Sequence, residues 1–389
     1  MLSSFSLILT CALKVYKALR GVGMESIVRA AFSRAFEQQE AIEERIEREY
    51  GIKPHQARIV VVGVGGAGCN TVTRLSEMGV KGAEIIALNT DAKHLAITKA
   101  DKKLLIGKET TKGLGAGGYP EVGEKAARES QQEIKQLLQG ADLVFVTCGL
   151  GGGTGTGGAP VVAEIAKSLG AIVIGAVTMP FKMEGARIHK AEDGLFKLRQ
   201  VCDTVVVIEN QKLLEYAGQL PLQQAFAVAD ELIATMIKGI TEAITVPSHV
   251  NIDFADLKAI MSTGGVSAIC VGESDSQEKV KDAVLKALNH PLLEVDYSGA
   301  KGALVHVTCG YDCTLAEIND AVQLIADRLS PEAQVIWGVR VTEEFNGKVQ
   351  VIAIITGVKS PYILGPIEEL KKAKEGEEVS LKRLGIEVI

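Results

Sequence analysis

The chain has 389 residues, a formal net charge of −6, 47% hydrophobic residues and 4% aromatic ones. A single core rarely grows past roughly 250–300 residues, so two domains are expected. The acidic balance excludes the basic surface of a nucleic-acid binder, and no run reaches the ~18 apolar residues that cross a bilayer. The seven cysteines form no CxxC pair, and Cys309 with Cys313 lacks a second pair for zinc. Buried, reduced thiols in a cytoplasmic protein are the expectation.

Residues 1–56 read as an N-terminal extension. Phe5–Leu13 is apolar, but Lys14, Lys17 and Arg20 follow it, whereas a secretory signal carries its charges in front. Residues 1–23 are therefore expected to lie upstream of the true start, with Met24 opening a helix. In that helix Val28, Phe32 and Phe36, then Ile42, Ile46 and Tyr50, recur one turn apart until Gly51 and Pro54 end it.

Short Val/Ile-rich runs follow at Ile59–Val62, Glu84–Leu88, Leu143–Thr147, Ile172–Val177 and Thr204–Ile208. Between them lie helical patterns at Asn70–Met78, Val122–Leu138 and Val161–Leu169. This alternation describes an α/β fold, with a mostly parallel sheet covered on both faces and a ligand site at the carboxyl ends of its strands. Leu222–Ile244 reads as one long apolar helix shared by both domains. Beyond it, strands are expected at Val266–Val271, Ala303–Val307, Val335–Val341 and Val349–Thr356, with helices Glu278–Leu288 and Leu315–Leu329. These make a second, α+β domain. The domains are thus placed at 57–221, 222–248 for the central helix, and 249–358, with a flexible charged tail at 359–389.

Two glycine loops fall at strand-to-helix junctions. Gly63-Val-Gly-Gly-Ala-Gly-Cys-Asn70 follows the first run. Alone it fits a dinucleotide turn only loosely, although glycines that admit an anion to backbone N–H groups suit any phosphate. The second, Gly149–Gly158, contains Gly-Gly-Gly-Thr-Gly-Thr-Gly at 151–157, with Pro160 expected in the first helical turn. Through that signature the chain resembles the tubulin/FtsZ family of GTPases, from about Ile59 to Gly357, and its archaeal members in particular. A nicotinamide-dependent dehydrogenase would explain the first loop but not the second.

The resemblance implies a Rossmann-like GTPase domain and a set of GTP contacts. These are Gly66, Ala67, Gly68, Cys69 and Asn70 in the first loop, and Asn89 and Asp91 after the second strand. Ala116 and Gly117 stand at the γ-phosphate loop, and Gly153, Thr154 and Gly155 in the signature. Glu184 matches the ribose position and Arg187 a nearby nucleotide contact. Asp230, inside the long helix, matches the base reader. A carboxylate accepts two parallel N–H bonds, which guanine offers and adenine does not. Without these neighbours Asp230 would be an ordinary residue on an exposed helix face.

Asn251-Ile-Asp-Phe-Ala-Asp256 resembles the family's catalytic loop, with Asn251, Asp253 and Asp256 in the matching places. Taken alone, Asp256 would be a helix cap for Leu257–Met261. The family implies Mg²⁺ with GTP/GDP, no protein metal ligands, and a homopolymer in which the acidic loop serves the next subunit's nucleotide. It also implies a cytoplasmic place in the midcell division ring, the alternative being a tubulin relative that sets cell shape. Implied partners are a paralogue of the same family and a SepF-like membrane anchor, reached through the apolar tail end Leu384–Ile389. Three features depart from the family pattern. Ala67 and Cys69 interrupt the glycine run of bacterial members, Gly118-Tyr119 stands where Ala-Asn is usual, and Glu184–Gly194 is one residue short.

Overall fold

The computed structural model describes residues 57–246, 248–262, 266–289, 295–359 and 363–364. The helix expected over 24–50 and the tail end Leu384–Ile389 lie outside them. The described residues belong to one compact unit that begins at Ala57.

The first sheet contains β1 (Ile59–Val64), β2 (Ala83–Asn89), β3 (Lys102–Leu105), β4 (Leu143–Gly149), β5 (Ile172–Met179) and β6 (Thr204–Glu209). Its order is β3-β2-β1-β4-β5-β6, all parallel. The second sheet has β7 (Val266–Ser274), β8 (Gly302–Cys309), β9 (Gln334–Val341) and β10 (Val349–Val358), in the order β7-β10-β8-β9. β11 (Ile363–Leu364) pairs antiparallel with β6. The stretch expected to begin a free tail therefore adds an edge strand to the first sheet.

Side-chain alternation explains why helices cover both faces of the first sheet. Val60, Val62 and Val64 point to one side, into a core shared with Ile134 and Leu138 of helix Gln131–Leu138 and Val161 and Val162 of helix Thr154–Ser168. Ile59 and Val61 point to the other, where they meet Val72 and Leu75 of helix Gly65–Glu77 and Ile233 and Ile237 of the central helix Leu222–Thr245. That second core continues without a break into Val305, Val351 and Ile354 of the other sheet. The central helix is therefore apolar on two sides because it is the wall between two sheets. Each of its fully buried isoleucines contributes about 2 kcal/mol.

Its far end is pinned by polar contacts. Lys238 Nζ donates to Met78 O (2.8 Å), Arg340 pairs with Glu242 (3.2 Å), and Thr245 Oγ1 stands 3.2 Å from Lys81 O. Met78 and Lys81 precede β2, so this end of the helix lies beside the amino end of the sheet. The helix is 24 residues long, about 36 Å at the usual rise.

Several elements differ from the sequence expectation. The helix expected over Val122–Leu138 is two, Pro120–Glu129 and Gln131–Leu138. Ser130 sits at the break with its hydroxyl accepting from Gly107 N (3.1 Å). The signature helix starts at Thr154, so Pro160 lies inside it rather than in its first turn. Its missing N–H leaves the Thr156 carbonyl without an intrahelical partner. Helix Pro120–Glu129 crosses the signature helix so closely that a Cβ on Gly157 would stand 1.9 Å from Pro120 O. Gly157→Ala must push these backbones apart and is expected to cost about 3 kcal/mol, checked as a lower denaturation midpoint in urea.

Candidate functional site

In the first sheet β1 and β4 are neighbours, while β2 and β5 continue outward on opposite sides. A parallel sheet leaves a crevice at the carboxyl ends of its strands where the winding reverses in this way. Two helices begin there. Gly65–Glu77 follows β1 directly, and Thr154–Ser168 follows β4 after a short turn. Neither has a side-chain cap, and neither carries an acidic residue in its first turn. The N–H groups of both first turns thus lack partners within their helices, and both positive dipole ends face one crevice. The ends abut, since a Cβ on Gly65, which holds φ +75°, would stand 2.8 Å from Gly155 N.

The glycines here separate into two groups. Gly68, Gly153 and Gly155 are required by packing, because a Cβ would meet Thr147 O at 2.4 Å, the Ala116 Cβ at 2.7 Å and Gly149 O at 2.9 Å respectively. Gly66 and Gly152 have nothing within 4 Å and no left-handed backbone. Neither packing nor conformation asks for glycine at these two places. Room for an anion against the backbone does. The crevice fits a phosphate chain.

The sequence candidates around it fare differently. Ala67 and Asn70 are exposed on helix Gly65–Glu77, which begins at Gly65 and so takes in most of the first loop. Cys69 turns its thiol into the core toward Leu88 O and Asn89 (3.7 Å from Nδ2), and burial pushes its pKa up to about 11. That thiol offers a phosphate nothing. Asn89 is buried, its amide spent on Cys69, His94 and the Asp91 N–H. Asp91 caps helix Ala92–Ile97, accepting from Lys93 N (2.9 Å) and His94 N (3.1 Å). Both shape the crevice wall. Thr154 shares a 2.6 Å hydrogen bond with Thr90 Oγ1, which ties the end of β2 to the signature helix.

Loop 112–119 lines the next side, with Ala116 buried and Gly117 exposed. Gly118-Tyr119 is held by Lys190, whose Nζ donates to Gly118 O (2.7 Å) and stands 5.2 Å from the Tyr119 ring centre. Glu184 accepts from Phe181 N (2.9 Å) through one oxygen and pairs with Arg187 (2.6 Å) through the other. This loop reaches the signature, since a Cβ on Gly151 would meet Arg187 O at 3.0 Å. Phe181 packs edge-on against Phe226 of the central helix at 5.6 Å. Asp230 lies one turn further along, half-buried, and accepts from Thr71 Oγ1 at 2.6 Å. Burial raises its pKa, and the Thr71 hydrogen bond and Arg74 oppose that.

The acidic loop is elsewhere. It follows the far end of the central helix, and Asp230 is separated from Thr245 by roughly 20 Å of that helix. Asp253, not Asp256, is the cap of helix Phe254–Ser262. Asp256 N donates to Asp253 Oδ1 (2.8 Å) and Asp253 N to Asp256 Oδ2 (3.0 Å), a reciprocal box. Asn251 Oδ1 accepts from Ser248 N (2.7 Å), and Ser248 Oγ lies 3.3 Å from Nε2 of buried His306. Val250 exchanges backbone bonds with Val339 of β9 (3.1 Å each way). The loop is thus rigidly mounted with Asp253 exposed. Among the described residues, no group of three or more His, Cys, Asp or Glu side chains is placed to hold a metal ion, and no helix is long and apolar enough to cross a membrane.

Residues 58–218 match the Tubulin/FtsZ family, GTPase domain, and residues 265–359 match the FtsZ family, C-terminal domain. The chain is 56% identical over 338 residues to Cell division protein FtsZ 2 of Methanocaldococcus jannaschii, covering 85% of this chain and 89% of that protein. The chain belongs to the FtsZ family of tubulin-like GTPases. Cell division protein FtsZ 1 of Thermococcus kodakarensis is 54% identical over 324 residues, covering 83% of this chain and 86% of its own length. A solved structure titled "FtsZ dimer, empty", from M. jannaschii, superimposes with TM-score 0.74 at 52% identity, covering 81% of this chain and 92% of that one.

Three residues around this crevice carry no role in the sequence reading. Thr90 was in plain view between Asn89 and Asp91. Phe226, 39% exposed although aromatic, precedes Asp230 by four residues and so shares its helix face. That spacing was the available signal. Lys190 had none, because its partner Gly118 is distant in the chain. The glycine division gives a test. Gly66→Ala and Gly152→Ala are expected to keep the wild-type melting temperature while losing at least about tenfold in GTP affinity, measured by titration with a fluorescent GTP analogue.

Proposed function

We propose that this chain binds GTP in the crevice between β1 and β4, hydrolyses it at the junction of two copies, and so builds head-to-tail filaments of the division ring at midcell. The observation that carries this reading is a separation. Anion-binding helix ends lie at the carboxyl edge of the first sheet, whereas Asp253 and Asp256 stand beyond the far end of the central helix. One copy does not bring its own carboxylates to its own crevice. A contact that joins unlike ends propagates as a filament where its rotation does not close a ring. The dimeric state named for the M. jannaschii relative supports self-association.

In this reading the N–H groups of Gly66, Ala67, Gly153, Thr154 and Gly155 hold the phosphates, with Gly68, Cys69 and Asn70 contributing through the dipole of the helix they belong to. Ala116 and Gly117 face the γ-phosphate, while Asn89 and Asp91 support the wall. Glu184 takes the ribose, Arg187 contacts the nucleotide beside it, and Asp230 reads guanine with Phe226 against the base. Mg²⁺, when bound with the nucleotide, supplies neutralisation of the β- and γ-phosphate charge. Catalysis here is positioning and charge stabilisation rather than covalent chemistry. Asp253 and Asp256 of the adjoining copy orient and polarise the attacking water, and Asn251 fixes their loop. The tail end Leu384–Ile389 docks a SepF-like membrane anchor, and a paralogue of the same family joins the polymer.

Mixing two defective variants tests the reading. Asp253→Ala is expected to bind GTP normally and turn it over at less than about a hundredth of the wild-type rate, a loss of roughly 3 kcal/mol in barrier. Thr154→Ala damages the crevice and keeps the loop. Phosphate release should recover when the two are combined, at junctions that pair an intact crevice with an intact loop. A mixture no more active than its components would contradict a shared site.

A further inference from the structure

The contact between Thr71 and Asp230 joins residues 159 positions apart and belongs to no motif. Thr71 lies on helix Gly65–Glu77, one turn after Ala67, and is 3% exposed. Its Oγ1 stands 3.2 Å from Ala67 O and 2.6 Å from Asp230 Oδ1. A hydroxyl has one proton, and an ionised carboxylate only accepts, so the shorter, charge-assisted bond takes it. A threonine side chain is stiff about its first torsion. The hydroxyl is thereby aimed from a rigid helix at one oxygen of the carboxylate, beside the loop whose N–H groups face the crevice.

We infer that Thr71 is a positioning residue for guanine selection, holding Asp230 in the rotamer that presents its carboxylate to the base. This rests on the reading of Asp230 as the base contact. Charge recognition alone would not need Thr71, since phosphate binding occurs at the helix ends. Reading two adjacent N–H donors does, because it requires a carboxylate fixed in plane and free of its proton. The charged group that acts on Asp230 is Arg74, from the packed helix, and Arg74 also pairs with Glu231. With Arg74 shared in this way, the Thr71 hydroxyl is the dedicated donor. Burial raises the Asp230 pKa and the Thr71 bond lowers it. Removing that bond lets the pKa climb further, so the ionised acceptor is lost at a higher pH than in the wild type as the solution is acidified.

The test compares Thr71→Val, Thr71→Ser and Asp230→Ala in the full chain. GTP and ITP, which lacks the exocyclic amine, compete against a fluorescent GTP analogue at pH 8 and pH 5.5. Thr71→Val should weaken GTP about tenfold at pH 8 and more at pH 5.5, and should narrow the preference for GTP over ITP. Thr71→Ser, which keeps the hydroxyl, should recover most of both. If valine at 71 prevents folding, Thr71→Ala removes the same hydroxyl without adding bulk and carries the comparison. A folded Thr71→Val or Thr71→Ala with wild-type GTP affinity, pH response and GTP/ITP ratio overturns the proposal. Asp230→Ala separates the two levels. If it spares GTP affinity, the base contact itself is wrong. If it abolishes the GTP/ITP preference while Thr71→Val does not change it, only the role of Thr71 fails.

Discussion

Two helices start within touching distance of each other, and no side chain satisfies either start. Adjacent helix ends each carry about half a positive charge, so the contact between Gly65 and Gly155 concentrates unpaired donors and like partial charge in one crevice. A folded protein tolerates this where an anion completes it. The remaining architecture follows from that contact. β1 and β4 must be neighbours to bring the helices together, and glycines must stand wherever the turns press on backbone. Helix Pro120–Glu129 must also cross the signature helix at van der Waals range, which Gly123 and Gly157 permit. Anything that binds the crevice in the folded state alone stabilises the fold by mass action.

The central helix converts that local arrangement into a polar molecule. Its amino-terminal half carries Phe226 and Asp230 toward the crevice, and its carboxyl end is fastened to the Met78–Gly82 turn and to β9. Because the helix is buried between two sheets, its length sets a fixed spacing between crevice and acidic loop. The acidic loop is itself anchored. Ile252 is buried and would collide with any Cβ on Gly338 at 2.7 Å. His306 behind it is kept neutral by burial, which pushes its pKa down to about 4. A rigid loop at one end and a rigid crevice at the other are what a repeating junction needs.

The sequence made the framework legible where side chains alternate or repeat strongly. The β-runs at Ile59, Leu143, Val266 and Val349 and the central helix are visible because burial on two sides leaves mostly apolar residues. β3 was not, since its Lys102 and Lys103 are exposed at a sheet edge. Helix Ala186–Arg199 was missed because its buried residues are Ala191, Gly194 and Leu198, two of them too small to register as a stripe. In sequence the glycines of both loops read alike as phosphate-binding. Only coordinates separate Gly155 and Gly157, which serve packing, from Gly66 and Gly152, which serve open space. Long-range partners such as Thr71 with Asp230 leave no local trace at all.

In the proposed filament one copy holds the crevice and the next supplies the carboxylates. GTP turnover per molecule, followed as phosphate release across a wide dilution series with GTP held saturating, tests it most directly. Specific activity is expected to fall toward zero as the protein is diluted, while GTP remains bound. Activity per molecule that stays constant on dilution would mean that a single chain contains the whole catalytic site.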